Sequence, residues 1–468
     1  MDSAGLRTRS SRSLGNSDMT SEVPSTVFQT SPANSREIPS FKVDLSVKPE
    51  HRYDHITPHL LPHIKRAKLT HLFDELIDSI LPALVGNMAK RLAPMLLRRV
   101  YSEEENAELV GISRGTMLPM YLLVAFNVLL DILLGCTSGG VKVEERDEKG
   151  EWRSRMVHFR TLDWGMDPLR EIIVELNYVR SPEGPIVATT VGYFGYVGVL
   201  TGVRKGLSMS LNFRPRHDDS TLKKRISFRH HQLMVVLGRR PSISSVMRRY
   251  LLNDPQACPS HKSKGQVELT AKDGSSLETE RKKKDKQSGP TPFSIHTIMT
   301  ELPTCPSTSA YLIFCTPQSI FVLEKDNNKC FARTSDGFLT AYNHDAVDEN
   351  DPLALAEMAQ QLSAHKRAAT TGMEEIVEFS CDRKRVLDKI HDRCVKKHRK
   401  RFNRSGSDNG NAVGMEDVLK FLNDRDKWIV NEETHYAVIM DPKAGRMVWR
   451  RAYEVVHEPD SDVEEPDA

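Results

Sequence analysis

Two hydrophobic periodicities divide the chain. Across residues 64–134, the stretch LTHLFDELIDSILPALVGNMAKRLAPMLLRRV carries apolar residues three to four apart, the spacing of one face of an α-helix, with Pro82 and Pro94 as kinks or boundaries. From Cys136 onward strand patterns dominate. VKVEER and WRSRMVHFR flank Asp147-Glu148-Lys149-Gly150, a turn by composition, and EIIVELNYV and IVATTVGYF flank SPEGP; each pair predicts a hairpin. LSMSLNF follows a glycine-rich loop, GYVGVLTGVRKG. Further strands are predicted in SAYLIFCT, SIFVLEKD and FLTAYNHD, and THYAVIMD and RMVWRRAY flank PKAG as a last hairpin. VLDKIHDRC and GMEDVLKFLND read as helices between them. Successive hairpins with intervening helices predict an α+β domain, antiparallel sheets covered by helices.

The apolar run Leu118–Leu134 sits at the ~17-residue lower limit for a membrane span. It carries Asn127 and Asp131 on one helical face, which predicts a buried helix ending at Gly135. Residues 1–38, rich in Ser, Pro and Thr, predict a disordered tail without the apolar core of a secretory signal. Basic segments at about 255–292 and 395–414 predict surface insertions, and residues 456–468 an acidic solvated tail. The chain has 468 residues and a net charge of +3, so nothing global points to nucleic acid. Its seven cysteines (136, 258, 305, 315, 330, 381 and 394) lack metal spacing and suit a reducing compartment. Composition therefore predicts a cytoplasmic or other intracellular protein.

The first hairpin concentrates chemistry. A turn centred near Glu148 places Cys136 across from Arg160 or Thr161, and Asp163, just past the end of the ladder, can fold back over the start of the first strand. A thiolate nucleophile beside a cation suits covalent catalysis. His158 shares a strand face with Arg160 but lies deeper along the ladder. A base is also available without histidine: cleavage before Cys136 frees an α-amine of reference pKa ~7.7–8.0. The competing reading makes Cys136 a small buried residue and Arg160–Asp163 a structural ion pair. Spacing alone prefers that second reading.

Cys136-Thr-Ser, Arg160-Thr-Leu-Asp163 and Asn343-His-Asp345, in that order, resemble the acid ceramidase and N-acylethanolamine acid amidase family, N-terminal nucleophile hydrolases related to choloylglycine hydrolases, and the resemblance implies a fungal-type, ceramidase-like member. FKVDLSVKPEHRY is similar to the segment that opens the family's mature chain, GISRGTMLPMYLLVAFNVLLDILLG to the helix before its nucleophile, and GYVGVLTGVRKGLSMSLN to its glycine-rich loop and following strand. The resemblance implies an αββα sandwich with an N-terminal helical region. It also implies cleavage between Gly135 and Cys136, giving a helical α chain (39–135) and a catalytic β chain (136–455) of one precursor. No cofactor or metal is implied.

By the same resemblance Cys136 attacks the amide carbonyl of a lipid, ceramide or an N-acylethanolamine. Arg160 steadies the thiolate, Asp163 holds the α-amine, and Asn343 donates to the oxyanion. Asn212 is a supporting polar residue and Arg383 the counterpart of a later family arginine. An uncleaved, inactive lipid-binding or scaffold relative is the alternative from another class.

Four residues depart from the family. Phe159 and Tyr342 stand where its animal members carry Gly and Thr, and Gly139-Gly140 where bulkier apolar residues follow Cys-Thr-Ser. The family resemblance points to a lysosomal or vacuolar site, against the compositional expectation. Residues 84–100 combine Leu, Met and Ala with Lys90, Arg91, Arg98 and Arg99, which suits either peripheral membrane contact or a helix packed on its own domain with a solvated face.

Overall fold

A computed structural model describes residues 35–129, 135–253, 268–269, 293–349, 351, 353–356, 373–401, 411–423 and 429–454. Fifteen strands among them form two sheets. The first orders β1 (Ser35–Arg36), β15 (Arg446–Tyr453), β14 (Thr434–Asp441), β4 (Trp152–Asp163), β3 (Gly135–Arg146) and β13 (Phe338–Ala341). The second orders β2 (Ser40–Asp44), β5 (Ile173–Val179), β6 (Ile186–Tyr193), β7 (Thr201–Arg204), β8 (Leu207–Phe213), β10 (Ala310–Cys315), β11 (Ile320–Asp326), β12 (Lys329–Ser335) and β9 (Glu268–Leu269).

The four predicted hairpin strands around the first two turns, and those around PKAG, pair as expected. Two edge pairs are parallel rather than antiparallel, β2 with β5 and β12 with β9, because each joins segments distant in sequence and no tight turn dictates their direction. Strands β10 and β14 are buried at every position. Both of their faces are covered, which explains their lack of polar alternation.

The sheets pack face to face, and side chains bridge them: His158 on β4 meets Ser208 and Ser210 on β8, and Ser138 on β3 meets Asn212. Helices cover the outer faces. Phe421 of a C-terminal helix (Met415–Asn423) packs edge-on to Phe159 at 5.8 Å, while the fully buried helix Ile243–Leu252 lies on the second sheet. The layer order is αββα, as expected.

The N-terminal region forms helices α1 (Thr57–Ala67), α2 (Leu69–Ile80), α3 (Ala83–Leu96), α4 (Glu103–Thr116) and α5 (Met120–Leu129). Pro82 is the N-cap of α3 and so a boundary, whereas Pro94 lies inside α3. Ser102 caps α4 through the Glu105 N–H, a capping-box sequence. On α5, Asn127 is buried and donates to Leu123 O and Gly195 O, both 2.8 Å, and accepts from Val197 N. That amide pins the helix to the glycine-rich loop.

Three expectations change. Gly135 is already in strand β3 rather than the end of a helix; residues 130–134, with Asp131, lie outside the described residues. Residues 35–38, assigned to a disordered tail, include β1, which pairs with β15. The basic stretch at 395–414 is not a loop throughout, because the helix Met373–Arg401 runs into it and Val413 bridges to Val143. Residues 1–34, most of 255–292 and the acidic tail lie outside the described residues.

Candidate active site

The hairpin that carries the cysteine closes through Asp147, whose Oδ1 accepts from Lys149 N and Glu151 N, with Gly150 at φ 77°. Its centre is Lys149, one residue beyond the expected Glu148. Cys136 therefore pairs with Leu162, not with Arg160 or Thr161, and Ser138 pairs with Arg160. Opposed residues share a face and so do residues two apart. The slip leaves Cys136, Ser138, His158 and Arg160 on the face toward the second sheet.

Arg160 Nη2 lies 3.3 Å from Cys136 Sγ, and its Nη1 donates to Leu200 O. The guanidinium stands 6.0 Å from the Tyr436 ring centroid. Burial pushes the Cys136 thiol up while Arg160 pulls it down; burial prevails, so the thiol is protonated in this state. His158 is held by both serines at 2.9–3.1 Å, and burial lowers its pKa to about 3. It is a neutral bridge between sheets, not a base for Cys136.

On the opposite side of the strand start, Asp163 pairs with Gly135 in the ladder. Its carboxylate receives Arg383 and Thr434 Oγ1, the latter at 2.7 Å. Burial pushes Asp163 up, against the pull of Arg383. Asn343, at the end of β13, accepts the Cys136 N–H on Oδ1 at 2.9 Å and donates from Nδ2 to Phe213 O at 2.8 Å. Arg383 Nη2 reaches the same Oδ1 at 3.4 Å. Asn212, the penultimate residue of β8, accepts from Ser138 Oγ at 2.8 Å and donates to Ala341 O at 3.2 Å. Asp345 anchors the loop after Asn343 through Arg214 Nε at 2.7 Å and Tyr311 OH at 2.8 Å.

All six candidate side chains thus converge within one buried cluster, with Cys136, Arg160, Asn212 and Asn343 entirely without exposure. Sequence reasoning missed Thr434 and Tyr436, and it used Ser138 only as part of the Cys136-Thr-Ser motif, without a role of its own. Thr434 and Tyr436 belong to the last hairpin and reach the site only because β14 lies beside β4. No local pattern announces that adjacency. Among the described residues no group of three or more His, Cys, Asp or Glu is arranged to hold a metal ion.

An αββα sandwich with a cysteine at the head of a central strand, facing the opposing sheet, has the architecture of the N-terminal nucleophile hydrolases. Residues 36–101, wholly before Cys136, match the family model described as the beta subunit of N-acylethanolamine-hydrolyzing acid amidase. The chain is similar to acid ceramidases: 26% identical to that of Mus musculus over 207 residues (41% of this chain, 49% of the relative) and 25% to that of Heterocephalus glaber over 206 residues (41% and 49%). With the acid ceramidase of Homo sapiens it shares 26% identity over 155 residues, 30% of this chain and 33% of the relative. The chain spans about half the length of the curated relatives it matches. A solved Caenorhabditis elegans N-acylethanolamine-hydrolyzing acid amidase ortholog aligns over 66% of this chain and 93% of its own, with 16% identity and a TM-score of 0.35. These matches make the chain similar to the acid ceramidases and, over residues 36–101, to the N-acylethanolamine-hydrolyzing acid amidases.

Proposed function

We propose that the protein is an amidohydrolase that cuts the N-acyl amide of ceramide into a fatty acid and a sphingoid base, using an N-terminal cysteine exposed by its own cleavage between Gly135 and Cys136. The observation that carries this reading is the Cys136 cluster. Its thiol faces a guanidinium at 3.3 Å and its own N–H is held by Asn343 at 2.9 Å, so both atoms that the chemistry needs are fixed.

In the first step the Cys136 sulfur attacks the Gly135 carbonyl carbon. The C–N bond breaks, the nitrogen takes the thiol proton, and water hydrolyses the resulting thioester. The freed α-amine, of reference pKa ~7.7–8.0, is then the base for the thiol. In turnover the sulfur attacks the lipid's carbonyl, the amine passes the proton to the departing sphingoid nitrogen, and water releases the fatty acid from the acyl-enzyme. Arg160 steadies the developing thiolate, and Asp163, braced by Arg383 and Thr434, orients the α-amine. Asn343 supplies an oxyanion donor, a kind of group worth roughly 10²–10³ in rate. Asn212 fixes Ser138 and the strand end before Asn343. The cluster is buried, and cleavage before Cys136 is the step that frees the strand end for substrate.

Helix α3 supports delivery of the lipid from a membrane surface. Only Gly86 and Ala93 of it are buried, and Leu84, Met88, Leu92 and Met95, spaced along one side, are exposed, Leu84 at 85%. Arg91 and Arg98 are exposed beside them, and no helix among the described residues is long and apolar enough to cross a membrane.

The full-length chain and its Cys136→Ala variant decide the core of the proposal on a denaturing gel and in a ceramide assay. Wild type should yield two fragments with the larger beginning at Cys136, while the variant stays whole and inactive; amidase activity retained by Cys136→Ala would remove the cysteine from the mechanism. A wild-type chain that remains intact and inactive would leave an uncleaved lipid-binding relative. N-acylethanolamine hydrolysis is the second reading, favoured by the family model over 36–101. Side-by-side turnover of ceramide and N-palmitoylethanolamine separates the two.

A further inference from the structure

The loop bearing Asn343 is gripped by one turn of the helix Met373–Arg401. Ser380 Oγ accepts the Asn343 backbone N–H at 2.8 Å and meets His344 Nδ1 at 2.7 Å. Ser380 is fully buried and His344 nearly so. Arg383, three residues on and therefore on the same helix face, holds Asn343 Oδ1 and Asp163. On its far side His344 Nε2 stands 3.7 Å from Glu349, which Lys384 of the same helix also approaches at 3.5 Å. A hydroxyl is the group that both accepts from an N–H and donates to an imidazole nitrogen. With Nδ1 accepting, the ring carries its proton on Nε2, toward the Glu349 carboxylate.

We propose that Ser380, oriented by His344 and Glu349, is a positioning residue that sets Asn343 against the Cys136 nitrogen; this rests on the amidohydrolase reading above. Asn212 fixes Ala341 and Arg214 fixes Asp345, so the loop is anchored on both sides. Ser380 fixes the backbone between those anchors, at the residue that touches the nucleophile. Without the hydroxyl, the buried Asn343 N–H loses its bond to Ser380, and the backbone that aims the asparagine loses one of its restraints. Misplacement of about 1 Å costs on the order of 100-fold in rate.

The test uses the full-length chain with Ser380→Ala, Ser380→Thr and His344→Ala, following self-cleavage and ceramide turnover alongside thermal melting. Ser380→Ala should slow both steps by about 10- to 100-fold through kcat, with KM changed less than about two-fold. Ser380→Thr, which keeps the hydroxyl, should recover most of the rate, and His344→Ala should show a smaller loss. Wild-type rates in Ser380→Ala, with the processed wild type active, would overturn the role of Ser380 and leave the amidohydrolase reading standing. Should Ser380→Ala fail to fold, Ser380→Thr and His344→Ala decide: a folded threonine variant no faster than His344→Ala, or a full-rate His344→Ala, would overturn it. A wild-type chain that neither cleaves nor turns over any acyl amide takes down both readings.

Discussion

Two departures from the family resemblance meet in one contact at the residue scale. Gly139 stands where a bulkier residue is usual, and Phe159 stands where a glycine is usual. The ladder sets these two positions directly opposite each other. A Cβ on Gly139 would lie 2.7 Å from Phe159 Cζ, 2.8 Å from Thr340 Cγ2 and 2.9 Å from Leu339 O. The Phe159 ring thus fills the space that a side chain at position 139 would need. Gly139→Ala should therefore destabilise the fold by about 1–3 kcal/mol through overpacking. Adding Phe159→Leu should recover part of that loss, with a coupling energy of about 0.5 kcal/mol or more in a urea double-mutant cycle. Recovery stays partial because Leu339 O is backbone and cannot yield. Strictly additive effects would mean that the two positions do not compensate. The sequence shows both oddities but not their contact, since that contact depends on a register displaced by the turn's centring on Lys149.

Among the elements, hairpins announced by turn residues and strands with apolar runs, such as β8, β10 and β11, were legible in the sequence, whereas a few segments were not. Strand β7 hides in a glycine-rich run, β12 in a polar one, and the parallel edges have no local signature. The long C-terminal helix was obscured by charge: VKKHRKR reads as a solvated run, yet Leu387, Ile390, His391, Cys394, Val395 and His398 fall at helical spacing and are all buried. Histidine at two of those positions broke the apolar pattern. Arg383 reaches the site on that helix. Helix α3 shows the opposite balance, a periodic apolar stripe left uncovered. An exposed stripe beside arginines suits the boundary of an anionic bilayer. Leu84→Ser with Met88→Ser should reduce co-sedimentation with phosphatidylserine vesicles several-fold, and, being exposed, should change stability by less than about 0.5 kcal/mol. Equal sedimentation of variant and wild type would exclude α3 as the membrane face.

For the whole molecule, the two sheets meet along a seam that is partly polar, with Ser138–Asn212, His158–Ser208, His158–Ser210 and Thr201–Tyr436 bridging them. Interior polar residues of different strands give no sequence signal of meeting, because only the packing of one sheet on the other joins them. The seam also gives the fold a pH dependence that can be assigned to residues. His158 has its pKa lowered by burial from 6.5 to about 3. Below pH 6.5 the unfolded chain takes up a proton that the folded chain refuses, so this contribution is complete above 6.5 and is lost as pH falls toward 3. At pH 4.5 the loss is roughly 3 kcal/mol. Glu105, buried against Ser245 of the opposing helix, runs the other way: burial raises it from 4.5 to about 7. Its contribution is complete below pH 4.5 and is lost as pH rises through 7. Urea midpoints at pH 4.5, 6.5 and 8 separate the two. His158→Gln should begin about 1–3 kcal/mol less stable at pH 6.5 for its lost bridges but decline less than wild type toward 4.5. Glu105→Gln should gain on wild type as pH rises from 4.5 to 8. A His158→Gln curve parallel to wild type between 6.5 and 4.5 would mean that this imidazole titrates alike in both states and that the seam does not govern acid stability. An enzyme of this fold working in an acidic compartment would then owe its tolerance to groups other than His158, whereas a flattened curve identifies the inter-sheet histidine as a residue that acid conditions act against.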